Sequence, residues 1–166
     1  ETPKGPAGWI AYIGADSNLW LIDASSAEQR QLTQDGVTWD VSKSDQTMIT
    51  YADPQWSSDG KLLAYERQVG TPIESGYQYQ FDIWVYDLAS GQSKVVLENE
   101  QTAGYAWKPG ASLIAYGKMI DTQYFMTNDP QYANGIWAIE VDTGKTYELV
   151  SPQNGKPLVS PEWSPD

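Results

Sequence analysis

The sequence predicts an all-β fold built from repeated four-stranded antiparallel sheets, and three observations predict it. The first is a repeat. Trp56 to Leu97 reads WSSDGKLLAY, a variable insert, then DIWVYDLASGQSKVVL, and Trp107 to Val150 reads WKPGASLIAY, another insert, then GIWAIEVDTGKTYELV. Gly8 to Thr33, GWIAYIGADSNLWLIDASSAEQRQLT, repeats the unit without its leading Trp segment, and EWSPD at 162–166 starts it again. The second observation is spacing, which separates a structural repeat from chance recurrence of aromatic residues. Trp56 to Tyr65 and Trp107 to Tyr116 both span 9 residues, and Trp20 to Leu32, Trp84 to Val96 and Trp137 to Leu149 all span 12. The third is turn chemistry between short apolar runs: Ser58-Asp59-Gly60, Ala89-Ser90-Gly91-Gln92 and Asp142-Thr143-Gly144-Lys145. Glycine there takes the positive φ that hairpins demand.

Taken in order, residues 1–8 are rich in Pro and Gly and read as a linker, the tail of a tether from an upstream anchor or domain. The first unit, 9–34, supplies a second, third and fourth strand (WIAYI, LWLI and the run before Leu32), to be completed by a first strand like 161–166. The second unit is 53–97 and the third is 104–150. Their inner strands LLAY, IWVY, LIAY and IWAI are apolar on both faces, which an antiparallel sheet tolerates only when both faces are covered. Four-stranded sheets that cover one another in a radial series are the blades of a β-propeller.

Those motifs carry a resemblance. W-S-x-D-G-K-x-x-A-Y followed by I-W-V-x-D-x-x-S-G resembles the TolB-like, WD-type propeller repeat, and is also similar to the propellers that precede the catalytic domain of prolyl oligopeptidase-type peptidases. One unit departs from the pattern, with Gly110-Ala111 in place of Asp-Gly. With the tether, the resemblance implies an exported bacterial protein of the periplasm or cell surface. About three blades are present, where propellers have about four to eight. Two explanations fit: a larger propeller of which this is a part, or two copies of the chain that together make a six-bladed ring, the terminal strand of each completing the first blade of the other.

Composition narrows the function. There are 22 acidic and 10 basic residues, and the net charge of −12 repels a phosphate backbone, so nucleic acid is not expected as a partner. No apolar run approaches the ~20 residues of a membrane span. With no cysteine and no histidine, the chain alone assembles no thiol or Ser-His nucleophile and no zinc-thiolate or histidine metal site. No G-x-S-x-G elbow is present. The expectation is a non-catalytic module without a cofactor. Calcium at Asp16-Ser17-Asn18 or Asn128-Asp129 is a further option, but both read as turns and neither has EF-hand spacing. A carboxylate-pair glycosidase is the remaining enzymatic option.

In a meander of strands a-b-c-d, the constant intervals enclose the a-b and c-d turns, whereas every variable interval belongs to b-c or to the link between units. All length variation therefore falls on one face, and a rigid scaffold makes such loops the place for recognition. The link 34–54 offers Trp39 and Asp40; the insert 66–81 ends in Tyr77-Gln78-Tyr79-Gln80-Phe81, whose alternation extends the third strand with aromatics on one side; the insert 117–134 offers Asp121, Tyr124, Phe125 and Tyr132. Rings supply area and amides and carboxylates supply orientation, as a protein, peptide or glycan partner requires. These aromatics could equally pack on one another as a satellite core above the sheet.

Overall fold

The computed structural model describes residues 8–38, 40, 45–119 and 126–165. Its strands are β1 (Trp9–Ile13), β2 (Leu19–Asp23), β3 (Gln29–Gln31), β4 (Met48–Trp56), β5 (Leu62–Ile73), β6 (Gly76–Asp87), β7 (Gln92–Leu97), β8 (Thr102–Trp107), β9 (Leu113–Lys118), β10 (Ile136–Glu140) and β11 (Thr146–Val150). They form three sheets in the orders β1-β2-β3, β4-β5-β6-β7 and β8-β9-β10-β11, each a simple meander. The chain divides into two compact units, 1–54 with 65–80 and 55–64 with 81–166. Strands β4, β5 and β6 pass from one unit into the other, so the units do not coincide with the sequence repeats.

The second unit holds the larger core. Ala64, Ile83, Val85 and Leu97 of the middle sheet pack with Tyr105, Trp107, Ile114, Tyr116 and Ile139 of the third sheet and with Val141 just beyond it. These are the repeat residues, and two sheets apolar on facing sides have no other way to leave water. A buried Tyr or Trp removes roughly 150–250 Å² from water, an upper bound near 4–6 kcal/mol. The Trp107 indole N–H donates to the Gln55 carbonyl at 3.0 Å, fastening the first strand of one repeat to that of the preceding one.

In the first unit, Leu19, Leu21, Met48, Tyr51 and Tyr65 are buried. The turn 14–18 is held by the Asp16 carboxylate, which accepts from the Asn18 backbone N–H and the Trp20 indole, both at 3.1 Å. Asn18, buried, accepts from the Gly36 N–H at 2.8 Å and the Thr33 hydroxyl at 3.1 Å, tying the turn to the link that follows β3. Asp129 likewise caps the 3-10 turn Pro130–Tyr132 by accepting from the Gln131 N–H.

The constant 12-residue interval has a local cause. In all three sheets the turn after the third strand closes with the same backbone bond, Ala27 N–H to Asp23 O, Gly91 N–H to Asp87 O and Gly144 N–H to Glu140 O. The donor is left-handed each time, with φ of 59°, 69° and 71°. The acid that opens each turn caps it: Asp23 accepts from the Ser25 and Ser26 N–H groups, Asp87 from those of Ala89 and Ser90, and Glu140 from the Thr143 hydroxyl. The Ser25 hydroxyl and these amides draw Asp23 down to about 2. Ala27 alone carries a Cβ in this conformation, a cost of about 1–2 kcal/mol. Ala27→Gly is therefore expected to stabilise the first sheet by a few tenths to about 1 kcal/mol after the added freedom of the unfolded chain is subtracted. Urea denaturation checks it, and a loss of stability contradicts it.

Three expectations are corrected. The insert 66–81 is not a loop beside one lengthened strand: β5 and β6 both run 12 residues and meet at Glu74-Ser75, with Gly76 at φ 106°. The link 34–54 ends in strand rather than loop, because β4 begins at Met48 and Asp53, at φ 49°, kinks it without ending it. Residues 161–165 lie in no strand, though their sequence matches a first strand. Strand geometry requires a hydrogen-bonded neighbour, and Pro161 and Pro165 each remove a donor.

Candidate functional site

The ribbon formed by the outer parts of β4, β5 and β6 belongs to the first unit and, among the described residues, carries the most exposed aromatic surface predicted from sequence. Side chains alternate along β6, so Tyr77, Tyr79 and Phe81 share one face and Gln78 and Gln80 the other. The Tyr77 and Tyr79 rings lie 6.2 Å apart, tilted by 34°. Tyr79 is 49% exposed, a large apolar surface left to solvent, and Ile73 at the ribbon tip is 52% exposed.

What lets Tyr79 lie flat is Gly70. A Cβ at residue 70 would stand 3.0 Å from the Tyr79 ring and 2.9 Å from the Met48 methyl, so only glycine leaves the ring its seat. Beside the ring is an open depression of about 200 Å³ lined by Met48, Thr50, Gln68, Gly70 and Tyr79. The Gln68 amide donates to Glu66 at 2.5 Å, which fixes a polar group next to the aromatic wall. A ring, a thioether, a hydroxyl and an amide around one concavity offer stacking area with oriented hydrogen bonding.

The link before β4 is anchored to the same ribbon. Asp35 accepts from the Tyr51 hydroxyl and, at 2.8 Å, from the Arg67 guanidinium. The Tyr51 and Tyr65 rings meet edge to face at 5.8 Å. Burial pushes the Asp35 carboxyl up, but the Tyr51 hydroxyl and Arg67 outweigh it and hold it below the usual carboxylate range. Burial and then the Asp35 carboxylate push Tyr51 up to about 12.

The predicted residues fare differently. Tyr77 and Tyr79 come together. Phe81 follows on the same strand, half-buried, its carbonyl accepting from the Glu100 N–H at 3.0 Å in the second unit. Asp40, half-buried, lies in the link. Tyr132 ends a 3-10 turn in the second unit, its N–H donating to the Asp129 carbonyl at 3.1 Å. Trp39, Asp121, Tyr124 and Phe125 lie outside the described residues. Met48, Thr50, Gln68 and Gly70 were not singled out from sequence; the signal was a glycine inside a strand run, which marks close approach of another group.

A larger cavity, about 240 Å³, lies in the second unit at the other end of β6, lined by Val85, Asp87, Lys94, Val141 and Asp142 among others. Two of its polar groups are engaged in structure: Asp87 caps its turn, and the Lys94 ammonium donates to the Val141 carbonyl at 2.8 Å. Among the described residues no three Asp or Glu side chains converge as a metal site would require.

No family model matches the chain. By structure it is similar to an oligogalacturonate lyase solved in complex with manganese, with a TM-score of 0.52 and 14% identity over 84% of this chain and 30% of that one. It is similar also to a putative dipeptidyl aminopeptidase IV from Bacteroides ovatus, with a TM-score of 0.54 and 15% identity over 95% and 25%. An oligogalacturonate lyase from Vibrio parahaemolyticus gives 0.50 and 13% over 86% and 37%. The fold is of the propeller type. The chain spans between a quarter and just over a third of the length of these structures. At such identities the likeness speaks for fold alone.

Proposed function

We propose that the chain is a non-catalytic binding segment of an exported, TolB-like β-propeller protein of the bacterial periplasm or cell surface, recognising a protein, peptide or glycan on the face formed by 34–54, 66–81 and 117–134. The observation that carries this reading is the ribbon: a half-exposed Tyr79 seated on Gly70 beside an open, amide-lined depression. An exposed ring held rigidly by its own scaffold loses little entropy on binding, which is why aromatic residues dominate interface energetics. Screening of peptide and glycan arrays would identify the ligand class. The paired Tyr77→Ala and Tyr79→Ala replacements should then weaken binding at least thirtyfold, about 2 kcal/mol, with the circular dichroism spectrum unchanged. Unaltered affinity in the folded double variant would remove the ribbon as the site.

A second reading is that the segment is the accessory propeller of a hydrolase, either the gate of a peptidase or part of a carboxylate-based glycosidase. It is favoured by the likeness to a putative dipeptidyl aminopeptidase of which the chain covers 25%. The reading frame on both sides decides: a Ser, Asp, His hydrolase region beyond residue 166 supports the peptidase version, and its absence sinks it.

A further inference from the structure

We infer, resting on the ribbon being the binding face as proposed above, that its partner is a basic segment of a protein, with one Arg or Lys side chain entering the depression beside Tyr79.

Strand alternation sorts the side chains of the ribbon onto two faces, and the charges divide with them. Met48 and Thr50 of β4, Glu66, Gln68 and Gly70 of β5, and Tyr77 and Tyr79 of β6 share one face. The close approach of Met48 and Tyr79 over Gly70 and the 2.5 Å bond from the Gln68 amide to Glu66 fix that arrangement. The other face holds Tyr51 and Arg67, joined through Asp35. Arg67 is the ribbon's only basic residue, so the aromatic face carries an acid, Glu66, and no cation of its own.

Rings and a carboxylate on one face are the chemistry of cation recognition. The face of an aromatic ring attracts an ammonium or guanidinium within about 6 Å of its centroid, more strongly where water is excluded. Tyr79 is 49% exposed, with the Tyr77 ring 6.2 Å away, so a visiting cation has a ring to rest on. Glu66 stands two residues beyond Gln68, roughly 7 Å along the strand. Its carboxylate has lone pairs beyond the one that the Gln68 amide takes. A long cationic side chain laid in the depression of about 200 Å³ puts its methylene stem against Met48 and its charged head between ring and carboxylate.

The wider field agrees. The chain carries a net charge of −12. Among the described residues of the first unit the basic side chains are Arg30 and Arg67; Arg30 lies 5.0 Å over the Trp9 ring and Arg67 is paired with Asp35. An anionic ligand would meet repulsion here, and a neutral one would leave the Glu66 charge uncompensated, whereas a basic segment is steered in and held.

The test is fluorescence anisotropy with three labelled peptides of the pattern Gly-X-Gly-X-Gly, X being Arg, Gln or Glu, at low and at high salt. The arginine peptide should bind roughly tenfold tighter than the glutamine peptide, the glutamate peptide should not bind, and the gap should narrow at high salt. Glu66→Gln should weaken the arginine peptide by about fivefold and leave the glutamine peptide unchanged. Glu28→Gln, the same charge change at an exposed acid in the turn before β3, should alter neither. Tyr79→Phe keeps the ring face and should bind as the unaltered chain does; Tyr79→Leu keeps apolar area without that face and should lose about fivefold. All four variants should retain the circular dichroism spectrum of the unaltered chain. Equal affinity for the arginine and glutamine peptides, no binding of the arginine peptide, or an arginine preference that survives both Glu66→Gln and Tyr79→Leu overturns the inference. If, beside such a result, an uncharged array ligand is lost in the Tyr77→Ala and Tyr79→Ala double variant, only the basic partner falls and the ribbon stands as the site. If no ligand depends on those rings, both fall.

Discussion

Gly135→Ala is expected to destabilise the second unit by about 3 kcal/mol, lowering its thermal midpoint by roughly 6–12 °C. Gly135 is buried immediately before β10, and a Cβ built there would stand 2.1 Å from the Val150 carbonyl oxygen and 3.1 Å from the Ser151 Cα. Backbone cannot rotate out of the way as a side-chain tip can. To admit the methyl, the end of β11 must move, and with it the pairing of Ile136 with Val150 that starts the β10–β11 register. The middle sheet shows the alternative solution at the same repeat position. There Asp82 stands before Ile83, buried, and its carboxylate accepts from the Asn99 N–H at 2.9 Å. One sheet fills the space with a side chain that caps the returning strand; the other brings the strand itself in. Denaturation in urea is the measurement, and a change below about 1 kcal/mol would mean that the strand end yields freely.

That pair of residues shows why sequence carried the fold so far and then stopped. The turns were legible because their requirements are local: an acid to cap, a residue able to take positive φ, and a fixed count between strands. Asp23, Asp87, Gly91 and Gly144 satisfy these within five residues, so spacing alone locates them. The sheet stacking was legible because strands apolar on both faces have one outlet. The length of β5 was not. Glu66-Arg67-Gln68 reads as polar loop, yet Arg67 is held in strand by Asp35, 32 residues earlier, and no local pattern announces such a partner. Likewise Asp53-Pro54 has the composition of a turn, yet β4 runs on through it with Asp53 at φ 49°.

The site divides along the same line. The alternation of Tyr77, Tyr79 and Phe81 put three rings on one face from sequence alone. What makes a concavity of that face is non-local: Gly70 across the ribbon admits the ring, and Met48 and Thr50 come from a stretch read as link. Residues 162–165 are the opposite case, a first-strand sequence in no strand, since a strand exists only with its neighbour.

Asp35→Ala is expected to cost about 2 kcal/mol at pH 7 and to show a pH dependence that identifies the cause. The carboxylate accepts from the Tyr51 hydroxyl and the Arg67 guanidinium, so its removal strands a buried phenol and a largely covered cation. A fully buried pair would cost more, but Asp35 is 49% exposed and water screens part of the loss. Folding holds the Asp35 carboxyl below its ordinary value, so the folded state binds its proton less readily than the unfolded chain does. Its contribution is complete above the unfolded value of 3.8 and disappears as pH falls through the lower folded one. Tyr51 runs the other way: raised from 10.0 to about 12, it stabilises the fold fully below pH 10 and ceases to do so as pH climbs through 12. The difference in stability between Asp35→Ala and the unaltered chain should therefore be flat from about pH 5 to 9 and shrink toward both extremes. Asp35→Asn keeps an acceptor for Tyr51 and loses only the charge, so it should recover part of the stability at pH 7 while abolishing the acid limb. Because the cluster ties Asp35 of the link to the ribbon, the double variant Asp35→Asn with Arg67→Met should fall short of the summed single effects by about 1 kcal/mol. Full additivity would mean that the ion pair contributes nothing to holding the link against the ribbon.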